Sequence, residues 1–381
     1  MGKWGFIMKH SYKIYTVLVM FLFTVFGVFT FIMPEREYSE NENRYLNLRP
    51  KFDIQSFVET DYQEKLEKAS NDQFPLRDSF MSMSTDVKKK LGAKDVGGVY
   101  ISKDNYYITK VTDSDVSKSD YMKNLGYVQY FSKISGLDSK VLLVPSTGTI
   151  LSDKLPKYAQ MYDADAMYKM ANVAIDNADV IDIREAFRQQ SDALQLYFKT
   201  DHHWTLEGAY IAYCEYCESA DIQRHSYGSF VPEKVSKRFK GTLYSKALDK
   251  DAEYDDIYAV PAGNFSNVMP VCDGRKMKGI YDVSKLDEKD KYAYFFGGNY
   301  GRVDIKTGST SENKLLVVKD SFANCFVPFL FEYYSDITMI DLRYYSESMK
   351  ELLDEEEYTN LLFLFEMSNF ASDKNLMKLT K

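Results

Sequence analysis

Two short segments of the chain combine residue types that could do nucleophilic catalysis. They are "TDHHWT", which contains Asp201, His202 and His203, and "KDSF", which contains Ser321. A serine hydroxyl is a weak nucleophile unless an imidazole takes its proton and a carboxylate orients that imidazole. In an extended turn, residues i and i+2 point to the same side, so Asp201 and His203 should share a face while His202 points away. The sequence therefore predicts a triad of Ser321, His203 and Asp201.

Other interpretations of these residues remain open. An Asp-Ser pair between a strand and a helix is most often only a helix cap, and the histidine pair could be a structural cap beside a surface residue. A metal site would need another ligand, and the remaining histidines, His10 and His225, lie elsewhere in the sequence. Cys214 and Cys217 form a single CxxC, which favours helix packing over zinc binding. We therefore expect no metal and no cofactor.

The elements that must position these residues follow an alternating pattern from about residue 117 onwards. Short, continuous apolar segments are typical of strands buried on both faces of a parallel sheet. The predicted strands are 140–146, 179–183, 314–320, 337–342 and 360–365. The predicted helices are 117–133, 164–176, 205–220, 321–333 and 346–354. Helices on both faces of such a sheet make a three-layer α/β domain.

Both reactive segments follow apolar stretches that read as strands. "LQLYF" precedes the turn at Asp201–Trp204, and "KLLVV" precedes Ser321, with a helix predicted after each turn. In α/β sheets, ligand sites lie beyond the carboxyl ends of the strands. A helix that starts near Ser321 would also help its backbone N–H to stabilise negative charge. Residues 222–313 break the pattern and predict a long, loop-rich insertion with short antiparallel strands.

The N-terminus predicts a membrane anchor. Ile14–Met33 is a run of 20 residues without a charge, preceded by lysines and followed by glutamates. At about 1.5 Å per residue, such a helix spans the roughly 30 Å hydrocarbon core of a bilayer. The positive-inside rule then places the N-terminus in the cytoplasm and the rest of the chain outside. A cleavable signal peptide is the alternative, although the bulky end of this run lacks a small-x-small cleavage site.

The predicted organisation is therefore an anchor, a lead-in and one large domain. Residues 1–34 hold the cytoplasmic tail and anchor, 35–116 a stem with short helices and strands, and 117–381 the α/β domain with its insertion. With 45% hydrophobic and 15% aromatic residues, the chain can bury a sizeable core. Its net charge of −8 supplies no basic field for nucleic acid, so a nucleic-acid partner is not expected.

The segment "TDHHWT" resembles the signature of the DHHW family. It is similar to the Asp-x-His-Trp motif of the alginate O-acetyltransferase group of SGNH-hydrolase-like proteins. The resemblance runs from about Glu42 to the C-terminus, through "ENRYL", "DQFPLRDSF", "VPSTGTI", "VVKDSFANCFVPFL" and "IDLRYY". It implies an SGNH-hydrolase-like fold, with Asp201, His203 and Ser321 as the triad.

The resemblance also implies an activity and partners. It implies a membrane-anchored, extracytoplasmic serine O-acetyltransferase, or O-acetylesterase, that acts on a cell-surface polysaccharide. A polytopic membrane acyltransferase would deliver the acetyl groups. Gly298 and Asn299, in "FGGNYG", and Asn324 are candidate oxyanion donors, although "FGGNYG" could equally be a glycine turn. Arg343 and Tyr344 could contact a sugar, or could form a salt bridge and pack.

A second hypothesis comes from a different class of function. The chain could be a non-catalytic polysaccharide-binding or assembly protein on the same fold. Lys319, which stands where a Gly-Asp-Ser block has glycine, is the residue that favours this alternative. A metal-dependent phosphoesterase is a third, weaker possibility.

Overall fold

The computed structural model describes residues 3–58 and 61–381. The chain divides into two units, one up to Leu91 together with Leu248–Lys250, and the other comprising Gly92–Ala247 and Asp251–Lys381. The predicted 35–116 segment contributes residues to both units. Its proposed boundaries stay a prediction.

The first unit is mainly helical and contains the apolar N-terminal helix. Within it, Ser11–Ile32 is a stretch of 22 residues long and apolar enough to cross a membrane. Its side chains are mostly exposed within the unit, which fits a membrane anchor or a signal sequence and not the core helix of a soluble protein. The elements are α1 (Lys3–Ile32), β1 (Tyr38–Ser39), β2 (Arg44–Tyr45), α2 (Ile54–Val58), α3 (Asp61–Asp72) and α4 (Arg77–Lys90).

The second unit holds both reactive segments. Its strands are β3 (Asp95–Val96), β4 (Val99–Ile101), β5 (Tyr107–Thr109), β6 (Asp138–Val144), β7 (Asp179–Ile181), β8 (Glu233–Phe239), β9 (Asp255–Ala259), β10 (Val271–Cys272), β11 (Arg275–Lys276), β12 (Arg302–Lys306), β13 (Lys314–Lys319), β14 (Asp336–Ile340) and β15 (Asn360–Glu366). Its helices are α5 (Lys118–Ser135), α6 (Thr147–Ile150), α7 (Ala164–Ala174), α8 (Arg184–Gln190), α9 (Leu206–Ser219), α10 (Thr242–Ala247), α11 (Ala323–Phe326), α12 (Met349–Glu355) and α13 (Met367–Ser372).

An eight-stranded sheet forms the centre of this unit, in the order β11-β10-β12-β14-β13-β15-β6-β7. Five neighbouring strands of this sheet are parallel, namely β14, β13, β15, β6 and β7. Their bounds agree with those of the five predicted strands to within two residues. The other three are antiparallel and come from the predicted insertion. The insertion therefore extends one edge of the sheet, which makes the sheet mostly but not wholly parallel.

The alternation of side chains along the strands explains the three layers. On β13, Leu315 and Val317 point into one hydrophobic core, while Leu316 and Val318 point into the other. The first core includes residues of α9 and α11, and the second includes residues of α5, α7 and α13. Because both faces are covered, the strands read as continuous apolar runs in the sequence.

Two expected elements differ from the structure. The helix expected over 321–333 is reduced to the four residues of α11 and a 3₁₀ turn at Val327–Leu330, because Pro328 lacks an N–H and interrupts the α-helical hydrogen bonds. The strand expected before Asp201 is also wrong. "LQLYF" forms only an isolated antiparallel bridge between Tyr197 and Trp204, so the chain doubles back on itself there and does not join the sheet.

Candidate active site

The candidate nucleophile lies just after the end of β13. Asp320 follows the strand, and Ser321 begins the turn into α11. The Asp320 carboxylate fixes this turn, since it accepts hydrogen bonds of 3.0 Å from the backbone N–H groups of Phe322 and Glu366 and from Asn369 Nδ2. Because α11 has only four residues, its dipole adds little beside Ser321, contrary to the sequence-based expectation. Stabilisation of an oxyanion must therefore come from individual donors.

The structure brings Ser321, His203 and Asp201 into one hydrogen-bonded chain. His203 Nε2 lies 2.7 Å from Ser321 Oγ, and His203 Nδ1 lies 2.6 Å from Asp201 Oδ1. The same carboxylate oxygen accepts the His203 backbone N–H at 3.0 Å, which ties the two residues within their turn. All three side chains are buried. With Nδ1–H donated to Asp201, the imidazole presents its unprotonated Nε2 to the serine hydroxyl.

The Asp201 carboxylate is held as an anion by its surroundings. Burial alone would raise the pKa of Asp201, but the two histidines and a hydrogen bond from the Thr242 backbone hold that pKa well below its usual range. Thr242 donates to Asp201 Oδ2 twice, from its backbone N at 2.7 Å and from its hydroxyl at 3.0 Å. Gly241 lies so close that a Cβ there would be 2.1 Å from the same oxygen. The carboxylate therefore has almost no room to move.

His202 has a different environment from His203. It does not point wholly away, because its ring lies 3.9 Å from the His203 ring. Its Nδ1 lies 2.7 Å from the Thr242 hydroxyl, which already gives its one proton to Asp201 and so must accept from His202. Burial and the neighbouring His203 lower the pKa of His202 to about 4. His202 is therefore neutral near pH 7 and has no contact with Ser321 Oγ of the kind that His203 makes.

The loop that carries Asp201 and His203 is fixed at several points. Asp255 accepts hydrogen bonds from the backbone N–H groups of Lys199 and Thr200 at 2.8 Å and from the Thr200 hydroxyl at 2.6 Å. Trp204 is fully buried, and its indole N–H donates to the Phe322 carbonyl oxygen at 2.9 Å. The tryptophan of the motif thus connects the base directly to the turn of the nucleophile.

An aromatic ring from the insertion covers the imidazole. The Tyr292 ring stacks on His203 with centroids 3.8 Å apart and an angle of 11° between the planes. Its hydroxyl donates to the Ser321 carbonyl oxygen at 3.3 Å. Sequence reasoning did not identify Tyr292, Thr242, Gly241 or Asp255. No motif marks them, because all four lie in the insertion, far along the sequence from Asp201 and Ser321.

Lys319 organises the candidate oxyanion donors. It is buried, and its ammonium donates to Asn324 Oδ1 at 2.8 Å and to Asn299 Oδ1 at 3.2 Å. Asn324 Nδ2 also donates to Asn299 Oδ1, at 3.2 Å. Two donors on Oδ1 fix the orientation of the Asn299 amide and leave its Nδ2 directed elsewhere. Asn324 is therefore engaged in this support, and Asn299 is tied by the same network to Lys319, two residues before Ser321.

Arg343 and Tyr344 lie after β14. Arg343 donates to both carboxylate oxygens of the buried Asp341, at 2.8 and 2.6 Å, which is the salt bridge that the sequence left open as an alternative. Asp341 Oδ2 also lies 3.9 Å from Lys319 Nζ. Tyr344 is exposed, and the Arg343 guanidinium lies over its ring, with its carbon 5.5 Å from the ring centroid. A role for either residue in substrate binding stays a prediction.

The geometry fits acyl transfer better than metal binding. Asp201, His202 and His203 do place one ligand atom each within 4.8 Å of one another. However, both ring nitrogens of His203 are already engaged, one by Asp201 and one by Ser321. Asp201 Oδ2 in turn accepts two hydrogen bonds from Thr242. A metal ion bound through His203 would therefore have to displace at least one of the hydrogen bonds that join the three residues.

Residues 150–340 of the 381-residue chain match the family model described as DHHW protein. The chain belongs to the DHHW family. The match spans both reactive segments of this DHHW protein and the insertion between them, and it confirms the resemblance seen in the sequence. None of the curated protein sequences matches the chain.

Solved structures share the fold of this DHHW protein. A DHHW family protein from Eubacterium siraeum has a TM-score of 0.63 at 20% identity, covering 75% of this chain and 96% of that one. PatB1 from Bacillus cereus has a TM-score of 0.60 at 21% identity, covering 71% and 97%. The O-acetyltransferase domain of Pseudomonas putida AlgJ is more distant, with a TM-score of 0.46 at 13% identity, covering 72% and 93%. The predicted SGNH-hydrolase-like α/β fold is confirmed.

Proposed function

We propose that this DHHW protein is a membrane-anchored, extracytoplasmic serine O-acetyltransferase that acts on a cell-surface polysaccharide. The observation that carries the proposal is the chain from Asp201 through His203 to Ser321, with contacts of 2.6 and 2.7 Å. A serine so connected has the general base that nucleophilic catalysis requires. A cell-surface polysaccharide is the acceptor class that the family resemblance favours.

In the first step, Ser321 would take the acetyl group. Its Oγ attacks the carbonyl carbon of an acetyl ester while His203 Nε2 removes the hydroxyl proton. The tetrahedral intermediate collapses, the bond to the leaving oxygen breaks, and His203 returns the proton to that oxygen. Asp201 stabilises the imidazolium that forms in between, and its low pKa keeps it ionised throughout.

In the second step, the acetyl group would pass to the acceptor. A sugar hydroxyl attacks the acetyl-serine carbonyl carbon, and His203 takes the hydroxyl proton. Ser321 Oγ leaves and recovers that proton, which restores the resting enzyme. The same step with water as the acceptor is ester hydrolysis, so the choice between transferase and esterase depends on which acceptor reaches the acyl-enzyme.

We assign the oxyanion to two donors, the Ser321 backbone N–H and Asn299 Nδ2. Asn299 is favoured because Lys319 and Asn324 both donate to its Oδ1, which directs its N–H groups away from that support. Gly298 has a φ of 126°, a backbone conformation that favours glycine and that sets the position of the adjacent Asn299. Removal of one preorganised donor of this kind lowers the rate by roughly 10²–10³-fold.

Detection of an acetyl-enzyme tests the proposal. Full-length protein in detergent is mixed with 4-nitrophenyl acetate, quenched, digested and analysed by mass spectrometry. We expect the Ser321 peptide to gain the mass of one acetyl group, and an arylsulfonyl fluoride to compete for the same serine. One structure of PatB1 carries a sulfonyl adduct, which makes this reagent class a reasonable probe for a protein of the same fold. Acetylation confined to other residues would refute the assignment.

Replacement of Gly241 by alanine is expected to slow acetyl turnover by about 10²-fold, the scale of a 1 Å misplacement of a catalytic group. The new Cβ would lie 2.1 Å from Asp201 Oδ2, so the carboxylate must move and His203 loses its orientation. Gly263→Ala is the matched control, since a Cβ there meets nothing within 4 Å. The measurement is the initial rate with 4-nitrophenyl acetate, with circular dichroism to check folding. Equal rates in the two variants would contradict this role of Gly241.

The proposed topology makes a separate prediction. A phosphatase reporter inserted after Pro50 should be active, which requires export, and the fusion should remain in the membrane fraction. Replacing Lys3, Lys9 and Lys13 by glutamate should reduce the reporter activity, because these cations set the orientation of the apolar segment Ser11–Ile32. Recovery from the medium of a protein shortened at its N-terminus would show that the segment is a cleaved signal.

A further inference from the structure

One side of α4 is apolar and exposed. Five large apolar residues follow one another at intervals of three or four from just before the helix to just after it, which places them along one side. They are Leu76, Phe80, Met83, Val87 and Leu91, and we call them the apolar stripe. Their exposed fractions run from 38% to 82%. A contiguous exposed apolar surface of this kind marks a place where a partner or a membrane binds.

The polar side of α4 faces the protein. Thr85 is buried, and Lys89 donates to both carboxylate oxygens of the buried Asp249, at 2.9 and 2.6 Å. Asp86 forms a salt bridge with Lys250. An amphipathic helix on the surface of a soluble protein has the reverse arrangement, with its apolar side against the core and its polar side in water. The orientation of α4 therefore suits apolar surroundings outside the protein.

The apolar stripe contacts the apolar N-terminal helix of the same unit. The Phe26 ring of α1 stacks on Phe74 with centroids 5.4 Å apart and lies edge-to-face with Phe80 at 5.6 Å. Phe26 belongs to the segment Ser11–Ile32, and it precedes the end of that segment by about 9 Å along the helix axis. Helices that lie in a bilayer surface bury their apolar side by roughly 5–10 Å. Phe80 therefore meets α1 at the depth expected of such a helix.

An ion pair marks the polar boundary at the end of α1. The Arg49 guanidinium donates to the carbonyl oxygens of Phe31 and Met33, to the second at 3.1 Å, and it pairs with Glu35 at 3.0 Å. Because charged side chains are costly inside hydrocarbon, this pair belongs at the level of the lipid headgroups. Phe26, which contacts the apolar stripe, then lies on the hydrocarbon side of that level.

Two lysines flank the apolar stripe near the C-terminal end of α4. Since each residue turns a helix by about 100°, Lys88 and Lys90 fall on opposite sides of the stripe, and both are exposed. The stem of a lysine can lie along an apolar surface while its ammonium reaches the headgroup layer. Asp78 and Asp86, the acidic residues of α4, lie off the stripe. An apolar stripe between two cations suits an anionic lipid surface.

We propose that α4 lies in the surface of the lipid bilayer, with the apolar stripe among the acyl chains and Lys88 and Lys90 at anionic headgroups. The proposal rests on the membrane anchoring of α1 proposed above, and it adds a second attachment to the membrane. A lipid surface is favoured over a protein partner because the stripe begins against a side chain of the apolar segment Ser11–Ile32. Two attachments restrict the rotation that a single helical anchor leaves open.

Spin labels test this proposal in full-length protein reconstituted into vesicles that contain phosphatidylglycerol. The native cysteines are all buried, so a thiol-reactive label should attach selectively to Met83→Cys, and the unsubstituted protein measures the background. Power saturation gives the accessibility of the label to oxygen, which concentrates in lipid, and to a water-soluble nickel chelate. We expect the oxygen-to-nickel ratio to be about tenfold higher at Met83→Cys than at Glu67→Cys, an exposed position on the polar helix α3. Val87→Cys, the next residue of the stripe, should give the same ratio as Met83→Cys.

Lipid composition tests the part assigned to the lysines. In vesicles of phosphatidylcholine alone, the oxygen-to-nickel ratio at Met83→Cys should be lower by about twofold or more, because the attraction between the lysines and anionic headgroups is lost. Replacing both Lys88 and Lys90 by glutamine should remove this difference between the two lipids. Equal ratios in the two lipids with both lysines present would overturn their assignment to anionic headgroups.

A label at Phe21→Cys, an exposed position within Ser11–Ile32, separates this proposal from membrane anchoring itself. A high ratio at Phe21→Cys with a low ratio at Met83→Cys would overturn the contact of α4 with lipid and leave the anchor in place. The opposite result would support the contact of α4 and remove the anchor. A label at Met83→Cys that neither reagent reaches would show that protein covers the apolar stripe, and this would overturn the lipid assignment.

Discussion

Replacement of Ser321 by alanine is expected to abolish formation of the acetyl-enzyme and to reduce acetyl turnover by about 10³-fold or more. Loss of a nucleophile in a comparable triad costs on the order of 10⁶-fold. The reason is structural as well as chemical, since Ser321 Oγ is the group that lies 2.7 Å from His203 Nε2. The measurement is the burst and the steady-state release of 4-nitrophenolate by full-length protein in detergent.

A double variant tests whether the three residues act as one unit. Adding His203→Ala to Ser321→Ala should lower the rate of acetyl turnover little further, because a base with no nucleophile to activate has no remaining role in this step. The alternative of a non-catalytic polysaccharide-binding protein makes the opposite prediction, in which neither change alters any acetyl chemistry. A Ser321→Ala protein that turned over acetyl esters at the parent rate would refute the serine mechanism.

The two adjacent histidines should differ sharply in importance. His203→Ala is expected to lower the rate of acetylation by about 10³-fold or more, because it removes the imidazole placed between Asp201 and Ser321. His202→Ala should cost less than about tenfold. It loses the hydrogen bond to the Thr242 hydroxyl, but Thr242 keeps both of its hydrogen bonds to Asp201.

The control for this comparison is the fold of each variant. Both proteins are compared by circular dichroism and thermal unfolding before their rates with 4-nitrophenyl acetate are measured. Equal and severe losses in two folded variants would contradict the assignment of His203 as the base. If the activity of the parent protein also required added zinc, the result would point to the metal-binding alternative for Asp201, His202 and His203.

Local sequence patterns predicted those parts of the fold and site that depend on few neighbouring residues. Strands such as β13 are recognisable because both faces are buried and the run is apolar throughout. Asp201 and His203 could be paired because two residues of separation place them on one side of a turn. Ser321 could be placed after its strand because the apolar run ends there.

The contacts that hold the site in place could not be predicted in this way. Thr242 and Tyr292 meet the motif residues only after the insertion folds over them. The prediction of a strand before Asp201 was wrong because the apolar residues there are buried in a loop and not in the sheet. Tyr197, for example, pairs with Trp204 across a tight loop, and its hydroxyl donates to the Pro145 carbonyl oxygen at 2.6 Å. An apolar run specifies burial but does not specify a place in the sheet.

The strand order of the central sheet has a consequence for how copies of this domain behave beside one another. An exposed sheet edge is a template on which a second chain can add a strand, and this is a common route to aggregation. Here the sheet ends on one side at β11, which has two residues, Arg275 and Lys276, both exposed and cationic. On the other side it ends at β7, which has only three residues. Short, charged edges offer little for edge-to-edge pairing, so many copies can share one surface without polymerising through their sheets.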